Sequence, residues 1–153
     1  MANAQRSLEV IRDRFQRVVP RLILLYSQVA RDAEVPDVAL LALHVLTLHD
    51  RPVYPSELSD ETGLPRSTVT RVLDTLEQAG YIDRTRAPED GRRSLVAVRP
   101  ERVAAISARF DLYGEAMSEA ARQFTSGELA TVARYWDVLS QAVQVRRDEG
   151  HGV

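Results

Sequence analysis

Residues 55–98 read PSELSDETGLPRSTVTRVLDTLEQAGYIDRTRAPEDGRRSLVAV, and the spacing of the breakers in this stretch decides the fold. Pro55 opens a short helix, SELSDET. Gly63 ends it, because glycine accepts a left-handed terminal conformation without a Cβ penalty. Pro65 starts the next helix. There Val69, Val72, Leu73 and Leu76 recur at steps of three, one and three and form a single apolar stripe. Arg66, Ser67, Thr70, Arg71 and Asp74 fall on the other faces. Gly80 closes this second helix as a C-terminal cap. Two short strand-like segments follow, around YIDRTR and SLVAVR. Between them lies APEDGRR, whose Asp90-Gly91 is a hairpin-turn signal. The stretch therefore reads as a helix-turn-helix followed directly by a β-hairpin.

Upstream, Leu8, Ile11, Phe15, Val18, Leu22, Leu25 and Val29 alternate steps of three and four, which is a helix with a heptad-like apolar seam. Pro20 removes one backbone bond and clashes with the preceding turn, so a kink or break is expected there. Pro36 suits the first position of a second helix. Its segment VALLALHVLTL is apolar on nearly every side and is expected to be buried. RPVY at 51–54 is a short extended link. Downstream, Pro100 begins a long helix with Val103, Ile106, Phe110, Tyr113, Met117, Ala120 and Phe124 in step. Thr125 and Glu128 form a capping box for a last helix. Leu129, Val132, Trp136, Leu139 and Val143 repeat the seam there.

The fold class expected is mainly α with α+β character: a winged helix-turn-helix with a two-stranded β wing and N- and C-terminal dimerisation helices. It is one domain, 1–153, with the winged part in 36–99 and dimerisation helices in 1–31 and 100–149. The terminal seams exceed what a small central unit needs for its own core, which favours a homodimer over an intramolecular bundle.

Composition narrows the function. The 153 residues carry 20 basic against 22 acidic groups, a net charge of -2, and no Cys. Disulfides, Cys-based zinc sites, iron–sulfur clusters and thiol chemistry are excluded. No apolar run approaches the ~20 residues of a membrane span, and the first residues lack a signal-peptide core. A cytoplasmic protein is expected. Net charge gives no nucleic-acid footprint, but its distribution does: residues 1–31 sum to +4, 32–62 to -6, 63–99 to +2 and 100–153 to -2. Five Arg lie between Arg84 and Arg99. Every cation in the chain is Arg, whose planar guanidinium suits phosphate and guanine.

In a helix-turn-helix the start of the second helix meets base edges in the major groove. Here that start offers Arg66, Ser67, Thr68 and Thr70, with Arg71 one turn in and better placed for a phosphate. The hairpin tip, Asp90, Gly91, Arg92 and Arg93, is narrow enough for a minor groove, where A·T-rich narrowing attracts Arg. Asp90 is expected to orient the Arg92 guanidinium. His44 and His49 are five apart and do not share a helix face for a metal, and His44 is expected in the core. No nucleophile–base pair, phosphate loop or metal cluster points to an enzyme, and no cofactor is implied. The competing reading is a winged helix used for protein–protein contact, which has no need of Arg66, Arg71 and Arg92 together.

The central run resembles the winged helix-turn-helix of MarR-family transcriptional regulators. The similarity lies in the Leu58 helix, Gly63-Leu64, Ser67-Thr68-Val69-Thr70-Arg71, Leu76-Glu77, Gly80-Tyr81-Ile82 and the wing motif Asp90-Gly91-Arg92. The resemblance implies an obligate dimer with interleaved terminal helices, a pseudo-palindromic DNA operator, and repression relieved by a small aromatic or phenolic effector. It places Arg66, Ser67, Thr68, Thr70 and Arg71 in the major groove and Arg92 in the minor groove. It also points to Tyr26, His44 and Tyr54 as polar-tipped groups near a ligand pocket. Two departures stand out: Ser59 replaces a usual Ala, and Arg99-Pro100-Glu101-Arg102-Val103 replaces a Leu-Thr then Gly pattern after the wing.

Overall fold

The computed structural model describes residues 2–90 and 92–150, of which residues 2, 4, 112 and 144–150 are described by backbone alone. It contains α1 (Ala2–Asp32), α2 (Asp37–Thr47), α3 (Pro55–Thr62), α4 (Arg66–Gln78), β1 (Ile82–Arg86), β2 (Ser94–Val98), α5 (Pro100–Ala121) and α6 (Ser126–Gly150). The chain divides into two compact units, Met1–Ile106 and Ser107–Val153.

In the first unit the core is aliphatic. Leu40, Leu43 and Leu46 of α2 meet Leu58, Val69, Leu73 and Leu76 of the helix-turn-helix, with Val53, Ile82 and Val96 beneath the wing and Val103 and Ile106 at the start of α5. β1 and β2 pair antiparallel, with Ile82 opposite Val98 and Arg86 opposite Ser94. Val53 pairs with Val96 as well, through hydrogen bonds of 2.8 and 2.9 Å. The extended link at 51–54 thus adds a third, one-residue strand to the wing, and so ties the wing to the entry of α3.

One expectation is narrowed and one is corrected. Of the kink or break expected at Pro20, the break is absent: helix α1 runs through Pro20 as a single element. A proline deletes only one N–H bond, and here its ring faces solvent with regular turns on both sides. Helix α2 is buried on one face only. Leu41 and Leu48 are 49% and 71% exposed, and His44, which lies between them on that face, is exposed rather than core. The buried residues of α2 are Ala39, Leu40, Ala42, Leu43 and Leu46, and α2 packs against α1, α3, α4 and β2.

The seams are buried only in part. On α1, Val29 is buried while Leu8, Ile11, Phe15 and Val18 are exposed. In the second unit Met117, Phe124, Trp136 and Val143 are exposed. Helix α6 starts on the expected capping box: the Thr125 N–H donates to Glu128 Oε2 at 2.8 Å, and the Glu128 N–H returns to Thr125 Oγ1 at 3.4 Å. Among the described residues no helix is long and apolar enough to cross a membrane.

Candidate nucleic-acid interface

The turn between α3 and α4 is fixed by its own chemistry. Gly63 takes a left-handed φ of 66°, and its N–H closes α3 on the Ser59 carbonyl. The Ser59 hydroxyl donates to the Leu64 carbonyl at 2.8 Å. The serine that departs from the family pattern therefore staples the turn it sits in.

With α3 held, α4 turns Val69, Val72, Leu73 and Leu76 inward. Arg66, Ser67, Thr70 and Arg71 are left exposed, and Thr68 is half-buried. The Thr70 hydroxyl donates to the Arg66 carbonyl at 3.0 Å, so toward a ligand it offers lone pairs and a methyl group. The first turn of α4 carries no acid and begins with Arg66. A cation there opposes the helix dipole and costs about 0.3–1 kcal/mol. Arg66 is therefore not in place for the stability of its own helix.

The arginine cluster at 84–99 separates into braces and unengaged cations. Arg84 reaches back from β1 to Asp74 and Glu77 of α4. Arg99 pairs with Asp83, holding that carboxyl below its ordinary range. Arg93 lies over the Tyr54 ring, 3.9 Å from its centroid. Among the described residues the guanidinium groups of Arg66, Arg71, Arg86 and Arg92 have no partner, and all four are exposed. Arg86, at the end of β1, is not singled out by the sequence pattern. Alternation along a strand could have found it, since it shares a face with Arg84 but lies two residues nearer the tip.

The wing differs from expectation in three ways. Asp90 Oδ1 accepts the Arg92 backbone N–H at 3.0 Å and does not orient its guanidinium; the short carboxylate reaches the turn's main chain first. Arg93 braces the wing against Tyr54 instead of standing beside Arg92. Tyr54 itself donates its hydroxyl to Glu89, which lowers the Glu89 pKa and raises that of Tyr54. The structure thus engages Tyr54 with the wing, while it brings Tyr26 and His44 together edge to face, with centroids 5.8 Å apart. Gly91 and His151 lie outside the described residues. An open cleft of about 490 Å³ is lined by Asp32, Glu34, Thr75, Gln78, Tyr81 and Arg102, and by none of the three residues expected at a pocket.

Glu57 secures the entry to α3. Its carboxylate accepts the Tyr54 N–H at 2.7 Å and the Arg51 guanidinium at 2.6 Å. Arg51 first, then the backbone N–H, pull its pKa down to about 2. A carboxyl depressed in the folded state adds stability above its unfolded value of about 4.5, and that stability is lost as pH falls through the folded value. Arg51 is more than half exposed, so solvent screens the ion pair and the cap carries most of the effect. Glu57→Ala is expected to cost ~1 kcal/mol at pH 7. In denaturant titrations the gap to wild type should narrow steadily between pH 4.5 and 3. A gap independent of pH would show that the carboxylate is not what caps α3.

A helix-turn-helix with a basic, hydroxyl-bearing second helix and a hairpin braced beside it is a winged helix-turn-helix. Residues 34–93, which run from just before α2 to the wing, match the MarR family model, so the winged segment of this chain is similar to that of MarR-family proteins. It is 25% identical over 135 residues to the HTH-type transcriptional regulator YcgE of Bacillus subtilis, covering 88% of this chain and 85% of that protein. The fold is similar to that of a MepR mutant from a multidrug-resistant S. aureus clinical isolate, with a TM-score of 0.72 and 15% identity over 84% of this chain and 94% of the other. It is also similar to Streptococcus pneumoniae FabT, solved in complex with DNA, with a TM-score of 0.68 and 19% identity over 90% and 97% of the two chains.

Proposed function

We propose that this regulator is a homodimeric repressor that binds a pseudo-palindromic DNA operator through α4 and the wing. The observation that carries the reading is the set of four exposed, unpartnered guanidinium groups on α4 and the wing, with every acid of α4 held by Arg84 or turned toward its far end. Arg66, Ser67, Thr68 and Thr70 take the base edges, Arg71 and Arg86 the phosphates, and Arg92 the minor groove. The exposed seams of α1 and of the second unit supply the dimer contact. A two-fold dimer reads half-sites about one helical turn, ~10 bp, apart. Release follows a small aromatic or phenolic ligand that binds the DNA-incompetent state more tightly. Tyr26 and His44, beside the exposed Leu41 and Leu48, suit such a ligand.

Selection of bound duplexes from a random pool tests the reading. A palindromic consensus is expected, with affinity falling steeply with salt at a slope of roughly -0.9 per phosphate neutralised. Equal affinity for random duplexes, or binding that salt does not weaken, would instead favour the winged helix as a protein-contact module. Phenols and aromatic carboxylates that raise thermal stability should lower operator affinity, and operator should weaken their binding by the same factor.

A further inference from the structure

We infer that Arg84 is a positioning residue for DNA reading: it locks the wing to the recognition helix so that the major- and minor-groove contacts are presented at one fixed spacing. The inference rests on the DNA-binding reading above. Arg84 projects from β1, and its Nη2 meets Asp74 Oδ1 at 2.6 Å and the Thr70 carbonyl at 3.5 Å. Its Nε is sealed from solvent and meets Glu77 Oε2 at 3.4 Å, an ion pair without hydrogen-bond alignment. One guanidinium thus spans residues 70, 74 and 77, two turns of a single helix face.

Three features separate this contact from an ordinary surface ion pair. The Arg84 side chain is only 25% exposed, so both its freedom and its screening are reduced. It joins two elements, where the Asp13–Arg17 pair on α1 joins a helix to itself. It is also the fork of an arginine that makes it possible: a lysine's point charge cannot hold Asp74 and Glu77 at once. The geometry has an electrostatic side too. Asp74 and Glu77 lie on the helix that must approach a polyanion, on the same face as Arg66 and Thr70 but about two to three turns beyond Arg66, and Arg84 offsets their charge there. Arg84 itself is spent on the protein, so it is not a phosphate contact.

The test uses the full-length protein and its selected operator. Arg84→Gln should weaken operator binding about tenfold. Most of that loss should vanish in an Arg92→Ala background, because a wing that has lost its groove contact gains nothing from being aimed. Arg84→Lys should recover only a small part. In the free protein, Arg84→Gln should speed amide hydrogen exchange through Ile82–Arg86 and Ser94–Val98 while exchange in α2 stays unchanged. Losses that simply add to those of Arg92→Ala would show Arg84 acting as an independent DNA contact and overturn the inference, as would unchanged affinity. If wild type binds no selected duplex, the DNA reading fails and the inference fails with it. The exchange measurement then still decides whether the brace itself exists.

Discussion

Arg66→Ala should lose about 1–3 kcal/mol of operator binding, roughly 5–150-fold, while the denaturation midpoint stays in place or rises slightly. The two halves of this result have different causes. Arg66 is the first residue of α4, exposed and unpartnered, and its charge stands at the positive end of the helix dipole. Removing it takes nothing from the fold, and a bidentate contact to guanine O6 and N7 is lost only in the complex. Base preference at one position of each half-site should relax. Arg71→Ala should instead weaken all duplexes alike and reduce the salt slope by about one contact's worth, as befits a phosphate partner. If Arg66→Ala weakens every duplex equally, the two residues have exchanged roles. If neither substitution changes DNA affinity, α4 is not the reading helix.

The parts of this site legible in the sequence are those written locally. Gly63, Pro65 and the 69-72-73-76 stripe are short-range signals, and α3, α4 and the hairpin fall where those signals put them. What is not legible depends on contacts across the fold. Val53 becomes a strand residue only because Val96, 43 positions on, offers it both hydrogen bonds. The family resemblance points to Tyr54 as a group near a ligand pocket, but Glu89 and Arg93 return to it from the wing. The cluster from Arg84 to Arg99 reads as one basic surface. Composition counts charges, and it cannot say which of them already face a carboxylate; here Arg84 and Arg99 do, and Arg86 and Arg92 do not. The apolar run of α2 errs in the opposite direction. Hydropathy marks nearly every side as core, and only one side is buried.

Trp136→Glu is expected to behave as a core substitution although Trp136 is 47% exposed in the single chain. An exposed residue normally tolerates replacement within about 0.5 kcal/mol. Trp136 lies in the α6 seam with Leu129, Val132, Leu139 and Val143, and it meets Tyr135 edge to face at 5.8 Å. If the seam is covered by a second copy, about 100 Å² of indole remains to be buried, worth ~2–3 kcal/mol per protomer. Two-fold symmetry introduces the change twice, so ~5 kcal/mol is at stake, a shift of about three to four decades in dimer dissociation. Because an interleaved dimer shares its core between chains, the variant should unfold at lower temperature and not persist as a folded monomer. Its melting point should fall further on dilution. Arg134→Glu, on the same helix but off the seam, supplies the control for added negative charge and should leave both melting point and mass nearly unchanged. Sedimentation of wild type at about twice 17.2 kDa is the companion result. A wild-type monomer that is stable at micromolar concentration, with Trp136→Glu no worse than Arg134→Glu, would leave the exposed seam without a partner copy and the two-half-site operator without a reader.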